Sequence, residues 1–172
     1  MFNLIVAVCR NNGIGLNGKI PWHIKQDLEF FSKITKGDGN NAVIMGRKTW
    51  ESLPKHLVDR ANLVLSTDFE TTTTKTNTNA QFFRSFEELD AYLETNNFYE
   101  DVWVIGGAQI YNHYMTSNKI KKCYITYIDQ EYECDTFFPP LDMSVWKPTE
   151  YEKRYDICDL DFVVYERKMY KF

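Results

Sequence analysis

Asp101-Val102-Trp103-Val104-Ile105-Gly106-Gly107-Ala108-Gln109-Ile110-Tyr111 decides the architecture. Asp101 to Ile105 reads as a strand. Two glycines follow at once, and from Gly107 to Met115 the pattern is helical. A strand that passes through glycine directly into a helix is the unit of a parallel sheet covered by helices. Paired glycines also let the backbone approach a ligand closely, and a helix start presents free N–H groups to an anion. Gly106-Gly107-Ala108 is not the dinucleotide fingerprint, and as a motif alone it is weak. Its position directly after a strand gives it meaning.

The same unit stands upstream. Ala42 to Met45 is a short apolar strand, Gly46 ends it, and Arg47 to Leu53 reads as a helix stopped by Pro54. Arg47, Lys48 and Thr49 fall in the first turn, where two cations and free amides favour phosphate. Outward from these two junctions the rhythm continues. Asn62 to Ser66 and Ala80 to Phe83 are strands, separated by a polar segment from Thr67 to Asn79 whose Thr71 to Thr74 run and alternating Thr and Asn make it low in complexity, so that it reads as a mobile surface excursion. Ser85 with Glu88 forms a capping box ahead of a helix from Phe86 to Glu94. Ile120 to Asp129 is a longer strand. Tyr151 to Cys158 and Asp161 to Tyr170 close the chain as an antiparallel pair joined near Asp159-Leu160. The expected class is α/β, with a central, mostly parallel sheet flanked by helices and a C-terminal antiparallel hairpin.

At the other end, Phe2 to Cys9 reads as a strand buried on both faces. Arg10 to Trp22 is a loop with turn dipeptides at Asn12-Gly13 and Asn17-Gly18. It carries Ile14, Leu16, Ile20 and Trp22, more large apolar side chains than a surface turn holds, so it is expected to cover something. A helix follows from Ile24 to about Lys36. Ile24, Leu28, Phe31 and Ile34 form its apolar stripe, and Asp27 falls inside that stripe. A carboxylate there is costly unless it meets a polar partner or a ligand. Helical spacing alone does not choose between the two. Ligands of open α/β sheets sit at the carboxyl ends of strands, where the first loop, Gly46 and Gly106-Gly107 would converge.

The totals agree with one domain over residues 1 to 172. Of these residues, 44% are apolar and 26% charged, with 20 basic and 24 acidic side chains for a net charge of −4. No long basic run suggests nucleic acid or an anionic membrane. No apolar run approaches a membrane span, and the Leu4 to Cys9 run is too short for a signal sequence. Cys9, Cys123, Cys134 and Cys158 lack the spacing of a zinc site or a redox dithiol and read as reduced thiols of a cytoplasmic protein.

These blocks together resemble dihydrofolate reductase of the bacterial type. The resemblance runs the full length: Ala7-Val8, Ile14 to Trp22, Asp27 to Phe31, Val43 to Leu53, Val104 to Tyr111, Tyr124 to Asp129 and Asp135 to Pro139, in that order. It implies that fold, with a cofactor-adenosine subregion at roughly 40 to 105, and reduction of 7,8-dihydrofolate by NADPH. It also implies roles residue by residue. Asp27 binds the pterin and promotes protonation at N5, with Thr126 behind it and Trp22 holding a water; Asp27 would be the only ionisable protein group near the reacting ring. Ile5, Val6, Ala7, Leu28, Phe31, Leu53, Ile105 and Tyr111 belong to the substrate region, and Arg60 pairs with the substrate's α-carboxylate. Ala7, Ile14, Gly15 and Ile20 lie by the nicotinamide. Gly46, Arg47, Lys48 and Thr49 flank the pyrophosphate with Gly107, Ala108, Gln109 and Ile110; Ile105, Gly106 and Tyr111 also belong to the cofactor region, and Gly106-Gly107 is expected to be cis. Arg47, Lys48, Leu65, Ser66 and Thr67 surround the adenosine and its 2′-phosphate. Asp135 is expected to reach the backbone of Gly15-Leu16 when the loop closes. No metal is implied, and the partners are dihydrofolate and antifolates, bound by a monomer.

Position 109 is Gln where some relatives carry Arg, and position 20 is Ile where Met is familiar. A rival is the related-fold reductase of riboflavin synthesis, against which stand Asp27 beside Trp22 and Arg60. A folate binder without catalysis is the other alternative.

Overall fold

A computed structural model describes residues 1–68 and 80–169. The Thr71 to Asn79 part of the excursion and Tyr170, the last residue expected in the closing strand, lie outside that range.

Eight strands form one sheet in the order β5-β4-β3-β6-β1-β7-β10-β9. They are β1 (Phe2–Val8), β3 (Asn41–Gly46), β4 (Arg60–Leu65), β5 (Ala80–Phe83), β6 (Val102–Gly106), β7 (Ile120–Ile128), β9 (Trp146–Tyr155) and β10 (Asp159–Arg167). All pairs from β5 to β7 are parallel; β7-β10 and β10-β9 are antiparallel. The two glycine junctions therefore stand side by side, because β3 and β6 pair directly, Ile44 against Val104 and Met45 against Gly106. The hairpin joins through Asp156 to Cys158 rather than Asp159-Leu160, because Leu160 is fully buried and pairs with Ile128.

Strand alternation sorts the core. Leu4, Val6 and Val8 face one side, against α3 (Phe86–Thr95) and α4 (Ala108–Thr116). Ile5, Val43 and Met45 face the other, against α1 (Lys25–Lys36) and Trp50 of α2 (Arg47–Ser52). The Ser85 cap is present: its hydroxyl accepts from the Glu88 N–H at 3.1 Å, while the Glu88 carboxylate accepts from Arg84 N–H.

The first loop is more ordered than its glycines suggest. β2 (Gly13–Gly15) pairs with β8 (Thr136–Phe137) as a separate two-stranded sheet. Beyond it Leu16 and Lys19 bond reciprocally across Asn17-Gly18, both at positive φ, 51° and 76°. That dipeptide closes a two-residue hairpin, for which Asn-Gly is the favoured pair.

Candidate functional site

Asp27 sits in the first turn of α1. That helix has no capping side chain of its own. Asp156, from the β9–β10 turn, supplies the cap: its carboxylate accepts from the Gln26 N–H at 3.2 Å, and the Gln26 side-chain amide donates to the Tyr155 carbonyl at 2.6 Å. The far hairpin thus fixes the turn that carries Asp27.

The Asp27 carboxyl looks toward β7. There Thr126, buried and in register with Ala7 of β1, hydrogen-bonds to it. Burial pushes the Asp27 carboxyl above the ordinary carboxylate range, and the Thr126 hydroxyl opposes that by stabilising the anion. The side chain nevertheless keeps part of its surface open. Around it the apolar surface is open as well. Leu28 is 45% exposed, and Phe31, Leu53 and Ile105 are half-buried. Leu28, expected on the core stripe, therefore borders a cleft. The deepest position on α1 belongs instead to Thr35. A carboxylate ringed by open apolar side chains is a pocket for a flat, mostly apolar ligand with a few polar atoms.

Ile5 and Ala7 lie on the Asp27 side of the sheet, whereas Val6 packs on the α4 side. Val6 cannot wall this cleft with its side chain, because one step along a strand reverses the face. Tyr111 also comes from α4, yet it touches the site from behind. Its one hydroxyl proton is shared between the carbonyls of Ile5 and Ile105, both at 2.8 Å. Burial and the negative charge of Asp27 push its phenol up. Tyr111 is thus a second ionisable group near the carboxylate, held neutral. Gly106 makes room for the ring: a Cβ there would lie 3.2 Å from the hydroxyl. Tyr111→Phe is expected to cost about 1–2 kcal/mol, the cost of buried acceptors losing a donor. Urea unfolding checks this; an unchanged midpoint would mean the shared bond carries nothing.

Trp22 packs on Tyr132 with ring centroids 5.3 Å apart and closes the Ile24 end of the cleft. At the far end, Arg60 opens β4 and is 9% exposed. Nε donates to the Val58 carbonyl at 3.0 Å and Nη1 to Thr35 Oγ1 at 2.9 Å. Thr35 donates in turn to the Phe31 carbonyl, and its own carbonyl accepts from Asn41. The guanidinium is fixed through two of its five N–H groups, and no carboxylate among the described residues forms an ion pair with it. The other donors remain for an acid from outside.

The second half of the site lies at the two glycine junctions. Gly46 and Gly107 are the N-caps of α2 and α4, and neither helix start has a capping side chain. They abut: a Cβ on Gly46 would lie 3.3 Å from Ile110 Cγ1, and one on Gly107 3.5 Å from Thr49 Oγ1. The Gly106-Gly107 peptide is cis. Two uncapped helix starts meeting through glycine leave free N–H groups that could hold an anion. Lys48 is exposed beside it, and Arg47 reaches Glu51 at 3.6 Å. Leu65 is half-buried, Ser66 is buried with its hydroxyl donating to the Asp68 carbonyl, and Thr67 is exposed. Ala108 and Gln109 border a surface groove of about 610 Å³ that runs on to Phe137 and Pro140.

In the glycine loop Ile14 and Gly15 are half-buried and Ile20 is 61% exposed. Asp135 pins it, though not quite as expected. Its backbone N–H donates to the Gly15 carbonyl at 2.9 Å, while its carboxylate accepts from Asn17, not from Leu16. The Asn17 N–H and the Thr136 hydroxyl, both bonded to it, hold the Asp135 carboxyl below its ordinary range.

A family model described as dihydrofolate reductase matches residues 1–167. The chain belongs to the dihydrofolate reductase family. The dihydrofolate reductase of Heliothis virescens is 40% identical over 147 residues, covering 81% of this chain and 80% of its own length. That of Bos taurus is 36% identical over 153 residues, 84% of this chain and 82% of its own. A bifunctional dihydrofolate reductase-thymidylate synthase of Daucus carota is 40% identical over 156 residues, 86% of this chain and 30% of its own length. These relatives are animal and plant proteins, so they support dihydrofolate reductase without the bacterial qualifier. The enzyme reduces dihydrofolate to tetrahydrofolate.

Proposed function

We propose that the reductant is NADPH and that Asp27 governs the proton delivered to N5 of the pterin. The observation that carries the reading is the Asp27–Thr126 pair, set in an open apolar cleft next to the double glycine cradle. Bound NADPH would supply the hydride for C6 of the pterin, chemistry that belongs to the cofactor. The chain's part is placement and electrostatics. Gly46, Gly107 and the helix starts they cap would hold the diphosphate, with Arg47 and Lys48 on the 2′-phosphate side. Ile5, Ala7, Leu28, Phe31, Leu53 and Ile105 would grip the two flat rings, with Trp22 at the closed end. Asp27 would accept from the pterin's N3–H and 2-amino group. Its negative charge, little screened inside the cleft, favours a proton on N5 at the moment hydride arrives. The Gly13 to Ile20 loop, pinned by Asp135, would exclude water. The bifunctional relative joins this activity to thymidylate synthase, which agrees with a place in one-carbon metabolism.

The test is dihydrofolate-dependent loss of NADPH absorbance, run beside NADH. NADPH should be favoured roughly tenfold or more, the worth of a charge-assisted contact to the 2′-phosphate. Equal rates with NADH would remove Arg47 and Lys48 from the site. Turnover of a ribosylated pyrimidine in place of dihydrofolate would favour the riboflavin-type reaction instead.

A further inference from the structure

Beneath the closed loop two thiols meet. Cys9 follows β1 and is buried; Cys134 directly precedes Asp135 and is half-buried. They are 125 positions apart in the chain, yet their Sγ atoms are separated by 3.8 Å. A disulfide bond is about 2.05 Å long, so the two sulfurs would have to close the rest of that gap to form one. The surroundings make space for both sulfurs. Gly13 lies over Cys134, and a Cβ there would collide with its Sγ. Cys9 donates to Asn11 Oδ1 at 2.8 Å, and the same oxygen accepts from the Gly13 N–H at 3.2 Å. With the Cys9 proton so engaged, the Cys134 thiol is the donor across the pair. The remaining thiols lie elsewhere: Cys123 contacts Met115 Sδ at 3.8 Å, and Cys158 packs against the Ile24 cluster.

We propose that Cys9 and Cys134 are a redox modification site, oxidised by a peroxide to an internal disulfide that clamps the Gly13 to Ile20 loop onto β8. Cys134 is the point of entry, being the more exposed. Its thiolate attacks the peroxide, the O–O bond breaks, and Cys134 becomes a sulfenic acid as one water leaves. The Cys9 sulfur then attacks the sulfenic sulfur, a second water leaves, and the S–S bond forms. Two thiols lose two electrons in all, which the peroxide takes. Burial and the Cys9 thiol push Cys134 up to about 11, so the reaction quickens as pH rises toward that value. The bond would join the end of β1 to the residue before Asp135, which already holds Gly15 and Asn17. The strand that pairs with the loop, β8, would then be tied to the loop's own root at the end of β1. The effect on turnover rests on the reading of this loop as the lid of an NADPH site; the disulfide itself does not.

The experiment treats the full chain with hydrogen peroxide at pH 7 and pH 9, then maps peptides by mass without reduction. The expected product is a Cys9–Cys134 linked pair, two hydrogens lighter, formed faster at pH 9 and lost in dithiothreitol. Cys9→Ser and Cys134→Ser should each retain reductase activity and give no linked pair. The linked enzyme should release NADPH several-fold more slowly and turn over correspondingly slowly. Sulfinic acid on Cys134 with Cys9 still a thiol, or a link to Cys158, would overturn the proposal. A correct link with unchanged cofactor release would overturn the clamp. Since the linked mass needs no turnover, a chain without NADPH-dependent activity would sink the assigned cofactor and leave the disulfide standing.

Discussion

Asp27→Asn is expected to lower turnover at neutral pH by roughly 10²–10⁴-fold, the range for losing a positioned acid–base group. The variant keeps the shape of the side chain and its place beside Thr126, so dihydrofolate should still bind, more weakly. What disappears is the negative charge that favours a proton on N5. Lowering the pH supplies that proton from solution, so the deficit should shrink as acid is added. A pH profile of kcat/KM in both proteins measures this. Equal loss at every pH would show that Asp27 positions substrate without influencing its protonation.

The same substitution should raise stability, and the sign follows from the direction of the shift. The folded-state pKa of Asp27 lies above its ordinary value of 3.8 because the carboxyl is buried. Between those two values the folded chain binds more protons than the unfolded one, so stability falls as pH rises through that window. The cost persists at pH 7 and is absent below the unfolded pKa. An asparagine never ionises. Its melting temperature should therefore exceed the wild type's at pH 7, with no difference at pH 3. Lower activity together with higher stability in the variant would be a stability–activity trade-off at one residue.

The sequence makes the sheet legible because its signals are local. Strand, glycine and helix follow one another within ten residues at Val43 to Trp50 and at Val102 to Tyr111, and Ser85 with Glu88 marks a helix start that the structure confirms. What stays hidden is carried by few residues or by distant ones. β2 and β8 have three and two residues, too few for any periodicity. Asp156 caps α1 from 130 positions away. Thr35 breaks no pattern, since a threonine near a helix end is unremarkable until Arg60 is seen to bond to it. Leu28 misleads in the opposite sense: an apolar stripe does not say whether it faces core or cleft. Cys9 and Cys134 have unrelated sequence surroundings, and only pairing of β2 with β8 brings them together.

Arg60 shows how such long-range supports turn into a prediction of comparable size. The far end of the cleft holds the buried Arg60 guanidinium, whose orientation is set by Thr35 and Val58. Burial lowers its pKa, but from a value so high that the cation persists. A cation left partly desolvated gains strongly from an incoming carboxylate, and the fork can meet one with two parallel bonds. Arg60→Leu should therefore weaken dihydrofolate binding by about 1.5–3 kcal/mol, roughly 10- to 150-fold. NADPH affinity, which the proposed function places at the glycine junctions, should change little. Arg60→Lys separates charge from geometry: it keeps the cation but loses the planar fork and the hold on Thr35, so it should recover only part of the loss. Titration calorimetry with both ligands decides. If NADPH binding falls as far as dihydrofolate binding, the substitution has damaged the fold through Thr35. If neither falls, Arg60 is a structural arginine whose free donors face solvent, and the substrate's acid is held elsewhere.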